Sequence, residues 1–160
     1  MRAVVLDSFV SWSSKFEGRC MWMYLDLLGL VTTGVGNLVD PPMLLQGLDF
    51  VRADGFTPTT GNEISAAWLR VKNEQAHKNI GGGQKFWQDL TSIRLTKTSL
   101  DRLIARKLAT NETIIRAWFG PRWDTYPADA QLGILSMAWA AGAGIFQKEF
   151  PRFTASPWGS

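Results

Sequence analysis

One cysteine and one histidine in 160 residues leave little for disulfide or metal chemistry. With Cys20 alone, no disulfide forms within the chain. His77 falls on an expected helix among Lys neighbours, where a surface or capping role is the reading, and no set of ligands for a metal or cofactor stands out. Apolar runs are short, and none approaches the roughly 18 residues of a membrane helix. The opening, Met1 to Leu6, carries one positive charge and its apolar run ends at Asp7, so no signal peptide is expected. Charge of one sign is also scarce: 17 Lys and Arg against 14 Asp and Glu leave +3. No Lys/Arg cluster with interleaved aromatics appears, which argues against nucleic acid as a partner. The modest positive balance suits an anionic polymer such as a bacterial cell wall.

What is present is ordinary globular material with a generous aromatic share. Hydrophobic residues make up 46% and charged ones 19%. This length supports one domain, or two tightly joined lobes, with a real core. Eight Trp and nine Phe suggest aromatics at a cleft as well as in the core.

The chain divides by its punctuation. Phe9, Trp12 and Phe16 form one stripe of an amphipathic helix over 8–17, with Ser8 as its N-cap and Gly18 as its stop. A β-hairpin or small sheet over 22–36 turns at Gly29. Gly34-Val35-Gly36 is no dinucleotide loop, because Val39 stands where a third glycine is needed and no helix opens there. Asp40-Pro41-Pro42 breaks the chain, an apolar run spans Met43 to Val51, and 52–62 reads as loop. Thr60 and Glu63 have capping-box spacing, opening a helix from Glu63 to about Asn79 with Ile64, Trp68 and Val71 buried. Gly81-Gly82-Gly83 ends it in a connector. Thr98 is placed to cap a helix over 99–118 whose core side is Leu100, Leu103, Ile104, Leu108, Ile115 and Trp118, closed by Gly120-Pro121. Pro127 and Asp129 mark the start of an apolar helix, Ala128 to Ala141, ending at Gly142.

Two carboxyl groups carry the chemistry. Glu17 follows the first helix, at the negative end of its macrodipole, and its neighbours Phe16 and Trp22 are apolar. Both effects disfavour the ionised form and fit a general acid. Asp26, nine positions on, shares a strand face with Trp22 and Tyr24 beside a solvated turn, where a carboxylate keeps its charge. Two carboxyls in different environments are the usual basis for dividing acid and base roles. The plainer alternative for each stays open: a solvated surface Glu, and an Asp that forms the turn.

The string Glu17-Gly18-x5-Tyr24-x-Asp26-x2-Gly29-x2-Thr32-x-Gly34-x-Gly36 closely resembles the N-terminal signature of the T4-type phage lysozymes, glycoside hydrolase family 24. The resemblance implies an α+β, mainly helical, lysozyme-like fold with a small β-hairpin lobe (1–62) and a helical lobe (63–160) flanking a cleft. It implies Glu17 as general acid, Asp26 as the group that places or activates water, and Thr32 as a holder of that water. Gly18, Tyr24, Gly29, Gly34 and Gly36 fall on framework positions. Leu38 matches a cleft-wall position. Trp139 matches a sugar-contacting aromatic and reads equally well as a plain core aromatic. Asn37 replaces a His common in the family. The region 41–94 is longer and differently built, and no counterpart is found to the family arginine that pairs with the catalytic Glu. The helical lobe is expected to lack the family's last helices or to be completed in another way.

The implied activity is a peptidoglycan muramidase that cuts the β-1,4 bond between N-acetylmuramic acid and N-acetylglucosamine with inversion. Its partner is the glycan strand, and no cofactor is required. The differently built middle region is more like the lysozyme domains of antibacterial effectors, whose partner would be an immunity protein that plugs the cleft. Synthesis in the cytoplasm and action in the periplasm, after release by another system, is the expectation. A lytic transglycosylase and a non-catalytic wall-binding module are the alternatives.

Overall fold

The computed structural model describes residues 4, 5, 8, 9 and 19–149. They form an α+β chain, mainly helical, with two small antiparallel sheets. Two compact units emerge, one of residues 14–104 and one of residues 1–13 with 105–160. The division falls inside a long helix, so the helices that follow the hairpin region belong with the sheets. The expected boundary at 62 instead lies within the first unit.

In the first unit, β1 (Cys20–Leu25), β2 (Val31–Gly34) and β3 (Asn37–Leu38) form one antiparallel sheet in that order. The apolar alternation sets its faces: Met23 and Leu25 are buried, and Trp22 and Tyr24 are partly exposed. The register pairs Tyr24 with Thr32 and Thr32 with Leu38. It slips between Cys20 and Tyr24, where the buried Thr33 hydroxyl donates to the Trp22 carbonyl at 3.0 Å and the Cys20 carbonyl at 3.3 Å. These bonds satisfy carbonyls that an irregular ladder serves poorly.

β4 (Phe50–Arg52) pairs with β5 (Ile93–Leu95) in a second sheet that the sequence did not suggest. Between them run α1 (Gly61–Asn73), a 3-10 turn (Gln75–His77) and α2 (Lys85–Leu90). The capping box forms as read: the Thr60 hydroxyl accepts from the Glu63 N–H, and the Glu63 carboxylate accepts from the Thr60 N–H at 2.8 Å. The helix begins two residues before Glu63 and ends at Asn73, about six residues before the expected end. Ala67 and Val71 are its buried residues, with Ile64 and Trp68 only half-buried. After Gly81-Gly82-Gly83, where no element was expected, α2 seats Trp87 fully in the core. His77 is partly exposed, with Nδ1 at 2.9 Å from Glu74 and its ring stacked on Phe86.

The long helix α3 (Lys97–Phe119) begins two residues earlier than expected. Thr96, not Thr98, serves its start: its hydroxyl accepts from the Ser99 N–H and its carbonyl from the Leu100 N–H. Thr98 is inside the helix. Leu100, Leu103, Ile104, Leu108 and Ile115 are buried as the spacing predicts, while Trp118 is half-buried. Gly120, at φ +59°, ends the helix by donating to the Arg116 carbonyl.

The second unit contains α4 (Arg122–Thr125), α5 (Ala128–Ala141) and α6 (Ile145–Lys148). Its core gathers Phe119, Trp123 and Phe146, with Tyr126 edge-on to Phe119. The Trp123 indole donates to Glu112, and the buried Gln131 amide donates to the Trp123 carbonyl at 2.8 Å. In α5 one stripe is buried, Gln131, Ile134, Leu135, Ala138 and Trp139, while Met137 remains 39% exposed, so its apolar character is not matched by burial on every side. Val4, Val5, Ser8 and Phe9 are helical, so Ser8 lies within helix and does not act as the cap before it. The remainder of the expected 8–17 helix, with Trp12, Phe16 and Glu17, lies outside the described residues.

Candidate functional site

The site is built around the turn that joins β1 to β2. Asp26 follows β1 directly and shapes that turn from inside. Its Oδ1 accepts the N–H groups of Leu28 and Leu30, both at 2.9 Å. Its own N–H donates to the Leu30 carbonyl at 3.0 Å, and Gly29 N–H returns to the Asp26 carbonyl at 2.9 Å. Gly29 takes φ +75°, a conformation that costs an L side chain strain. The turn-forming alternative for Asp26 is therefore present in the structure. It occupies only one carboxylate oxygen: no hydrogen bond among the described residues engages Oδ2.

Thr32 stands two residues past Leu30, in β2, and is 5% exposed. Its hydroxyl donates to the Leu30 carbonyl at 3.3 Å, the same oxygen that accepts from the Asp26 N–H. Asp26 and Thr32 are thus joined through one peptide group. A hydroxyl that donates once still has lone pairs for a water. Cross-strand pairing sets Tyr24, Thr32 and Leu38 in a row, and Asp26 continues the alternate spacing of Trp22 and Tyr24. Leu38 is 45% exposed, an apolar residue at the end of that row.

The positions that matched the family's framework have local reasons. Gly34, at φ +67°, leaves room for the Leu100 side chain, which would meet an added Cβ at 2.6 Å. Asn37, buried, accepts the Val35 N–H with its side-chain oxygen at 3.3 Å and so closes the β2–β3 turn without a histidine. Tyr24 lies against Gly82, where an added Cβ would come within 2.5 Å of the ring, and the Trp22 indole donates to the Gly82 carbonyl at 2.9 Å. The three glycines following the 3-10 turn are in part a seat for that aromatic face.

Trp139, in the second unit, is 5% exposed. Phe9 lies 4.9 Å from its ring centroid and the Lys107 ammonium 4.1 Å from it. The arrangement is that of a core aromatic with a cation–π partner, and little of its ring surface is open to a sugar. Glu17 lies outside the described residues. Compared with family models, curated proteins and solved structures, the chain matches none.

Sequence reasoning missed the outer half of the turn's support. Asp40, placed by β3 and the bend after it, accepts the Val31 N–H at 3.0 Å. The same Oδ2 pairs with Lys72 of α1 at 2.7 Å, and Lys72 also donates to the Gly29 carbonyl at 2.9 Å. Burial raises the Asp40 carboxyl, but the hydrogen bonds from Lys72 and Val31 outweigh it and hold it below the usual range. Trp68, one helical turn before Lys72, donates its indole N–H to the Val39 carbonyl at 2.8 Å. The Asp40–Pro41 bond is cis. Among the described residues, no three His, Cys, Asp or Glu side chains form a set that could hold a metal ion. No described helix is long and apolar enough to cross a membrane.

Proposed function

We propose that the chain is a lysozyme-like peptidoglycan muramidase that hydrolyses the N-acetylmuramic acid to N-acetylglucosamine β-1,4 bond with inversion. The observation that carries this reading is the pairing of Asp26 and Thr32 through the Leu30 carbonyl, in a signature whose third polar member is Glu17. Glu17, protonated, gives its proton to the leaving glycosidic oxygen. Asp26 Oδ2 takes a proton from a water as that water attacks the muramic acid C1 from the opposite face. Thr32 accepts a hydrogen bond from the same water. The chemistry requires the carboxyls to stand roughly 6.5–9.5 Å apart, leaving room for that water. Leu38 forms apolar wall for the sugar. In this reading Trp139 is a packing residue. The partner is the glycan strand, and an immunity protein that plugs the site follows if the chain acts as an antibacterial effector.

One observation favours a second reading. Asp26 already has a structural duty in the turn, and a lytic transglycosylase, which needs only one acid, would ask nothing more of it. Purified peptidoglycan treated with the native chain and with Glu17→Gln and Asp26→Asn separates the readings. The muramidase reading expects each variant to lose at least about 100-fold in rate, the scale of a general acid or base. Retention of the native rate by Asp26→Asn, with 1,6-anhydro ends in the products, favours the transglycosylase. Equal rates for the native chain and Glu17→Gln, or lysis by neither, leave a wall-binding module.

A further inference from the structure

Asp26 holds the inner side of its turn by taking the Leu28 and Leu30 N–H groups. The outer side presents two other backbone groups, the Gly29 carbonyl and the Val31 N–H. Neither uses a partner within the turn. Both are satisfied by side chains remote in sequence: Val31 N–H by Asp40, and the Gly29 carbonyl by Lys72 and by Gln75 at 3.1 Å. Lys72 bridges the two, because its ammonium touches the Asp40 carboxylate and the Gly29 carbonyl together. The Asp40 side chain is 13% exposed and that of Lys72 31%, so this pair is shielded far better than a surface salt bridge. One ion pair thus grips the peptides on either side of Leu30, and Leu30 is the residue that couples Asp26 to Thr32.

We propose that Asp40 and Lys72 are positioning residues for the Asp26–Thr32 pair, fixing from outside the turn that Asp26 fixes from inside. This rests on the muramidase reading for its catalytic consequence, although the clamp itself is a property of the fold. Loss of the ammonium leaves Asp40 charged and poorly paired and leaves the Gly29 carbonyl to Gln75 alone. The Leu30 peptide then loses its fixed orientation, and a shift of about 1 Å at a reacting group costs on the order of 100-fold in rate. Substrate-contacting surfaces remain, so KM changes little.

The test compares native chain, Lys72→Met and Lys72→Arg for kcat and KM on soluble peptidoglycan fragments, and for amide hydrogen exchange at Val31. The proposal expects Lys72→Met to lose 10- to 100-fold in kcat with KM within about threefold, and Lys72→Arg to recover much of it. Val31 exchange accelerates in Lys72→Met while amides of the β4–β5 pair keep their protection, which separates a loosened turn from unfolding. Native kcat in a folded Lys72→Met chain overturns the proposal and leaves the muramidase reading standing. Absence of turnover by the native chain overturns the muramidase reading. The clamp is then decided by exchange alone, and unchanged Val31 protection in Lys72→Met refutes it.

Discussion

Gly29→Ala tests how tightly the β1–β2 turn is specified, and its cost can be assembled from two separate contributions. Residue 29 sits at φ +75°, where an L side chain costs about 1–2 kcal/mol. An added Cβ would also meet the Gln75 side-chain oxygen far inside van der Waals contact. Gln75 can swing away, but it then forfeits its bonds to the Gly29 carbonyl at 3.1 Å and the Lys72 carbonyl at 2.8 Å. For a partly solvated amide these two are worth about 0.5 kcal/mol each, the low end of the usual range. The sum is about 2–3 kcal/mol. Gly47 supplies the control, because it sits at φ +77° with no atom of the described residues within 4 Å of the Cβ position. Gly47→Ala therefore carries the backbone strain, about 1–2 kcal/mol, without that contact. The stiffening of the unfolded chain by alanine is common to both and cancels in the comparison. Urea unfolding of the two variants should give midpoints about 0.5 M apart at a slope of about 2 kcal/mol/M, with Gly29→Ala the less stable. In a Gln75→Ala background the excess should vanish, a coupling of about 1 kcal/mol. Equal midpoints for Gly29→Ala and Gly47→Ala, or an excess that survives removal of Gln75, would refute the reasoning.

Two further outcomes follow from the same structure. Thr60→Ala removes the cap of α1 and should cost about 1 kcal/mol in thermal or urea unfolding; a change under about 0.3 kcal/mol would show that the Arg52–Glu63 pair holds the helix start without it. The Asp40 carboxyl titrates below its unfolded value of about 3.9, so its contribution is fully present above that pH and is lost as pH falls through the folded value. The stability difference between the native chain and Asp40→Asn should accordingly be constant from about pH 5 upward and shrink below about pH 4. A difference independent of pH down to 2 would contradict the assigned pairing.

Local signals were legible and non-local ones were not. Thr60 and Glu63 announce α1 because a capping box is written within four consecutive residues. Gly29, Gly120 and Gly142 announce chain reversals because positive φ selects glycine. The second sheet escaped because Phe50 meets Leu95 across more than forty intervening residues, and three-residue strands are too short to show a period. Lys85–Leu90 escaped because six residues after a run of glycines carry no amphipathic stripe. Thr98 stands directly before the helix expected over 99–118, whereas β5 runs straight into a helix that starts at Lys97 and leaves Thr96 at the junction. In the candidate site, Asp26 and Thr32 were readable from a local string. Their outer support was not, since Asp40 and Lys72 lie 32 positions apart and their residue types are common on any surface.

The most direct measurement of the central claim is mass spectrometry of muropeptides released from purified peptidoglycan by the native chain in water enriched in the heavy oxygen isotope. Hydrolysis at the pair formed by Glu17 and Asp26 predicts reducing N-acetylmuramic acid ends that carry one solvent oxygen, formed as the α anomer. Ends in the 1,6-anhydro form, or a heavy-oxygen product of retained configuration, would contradict it.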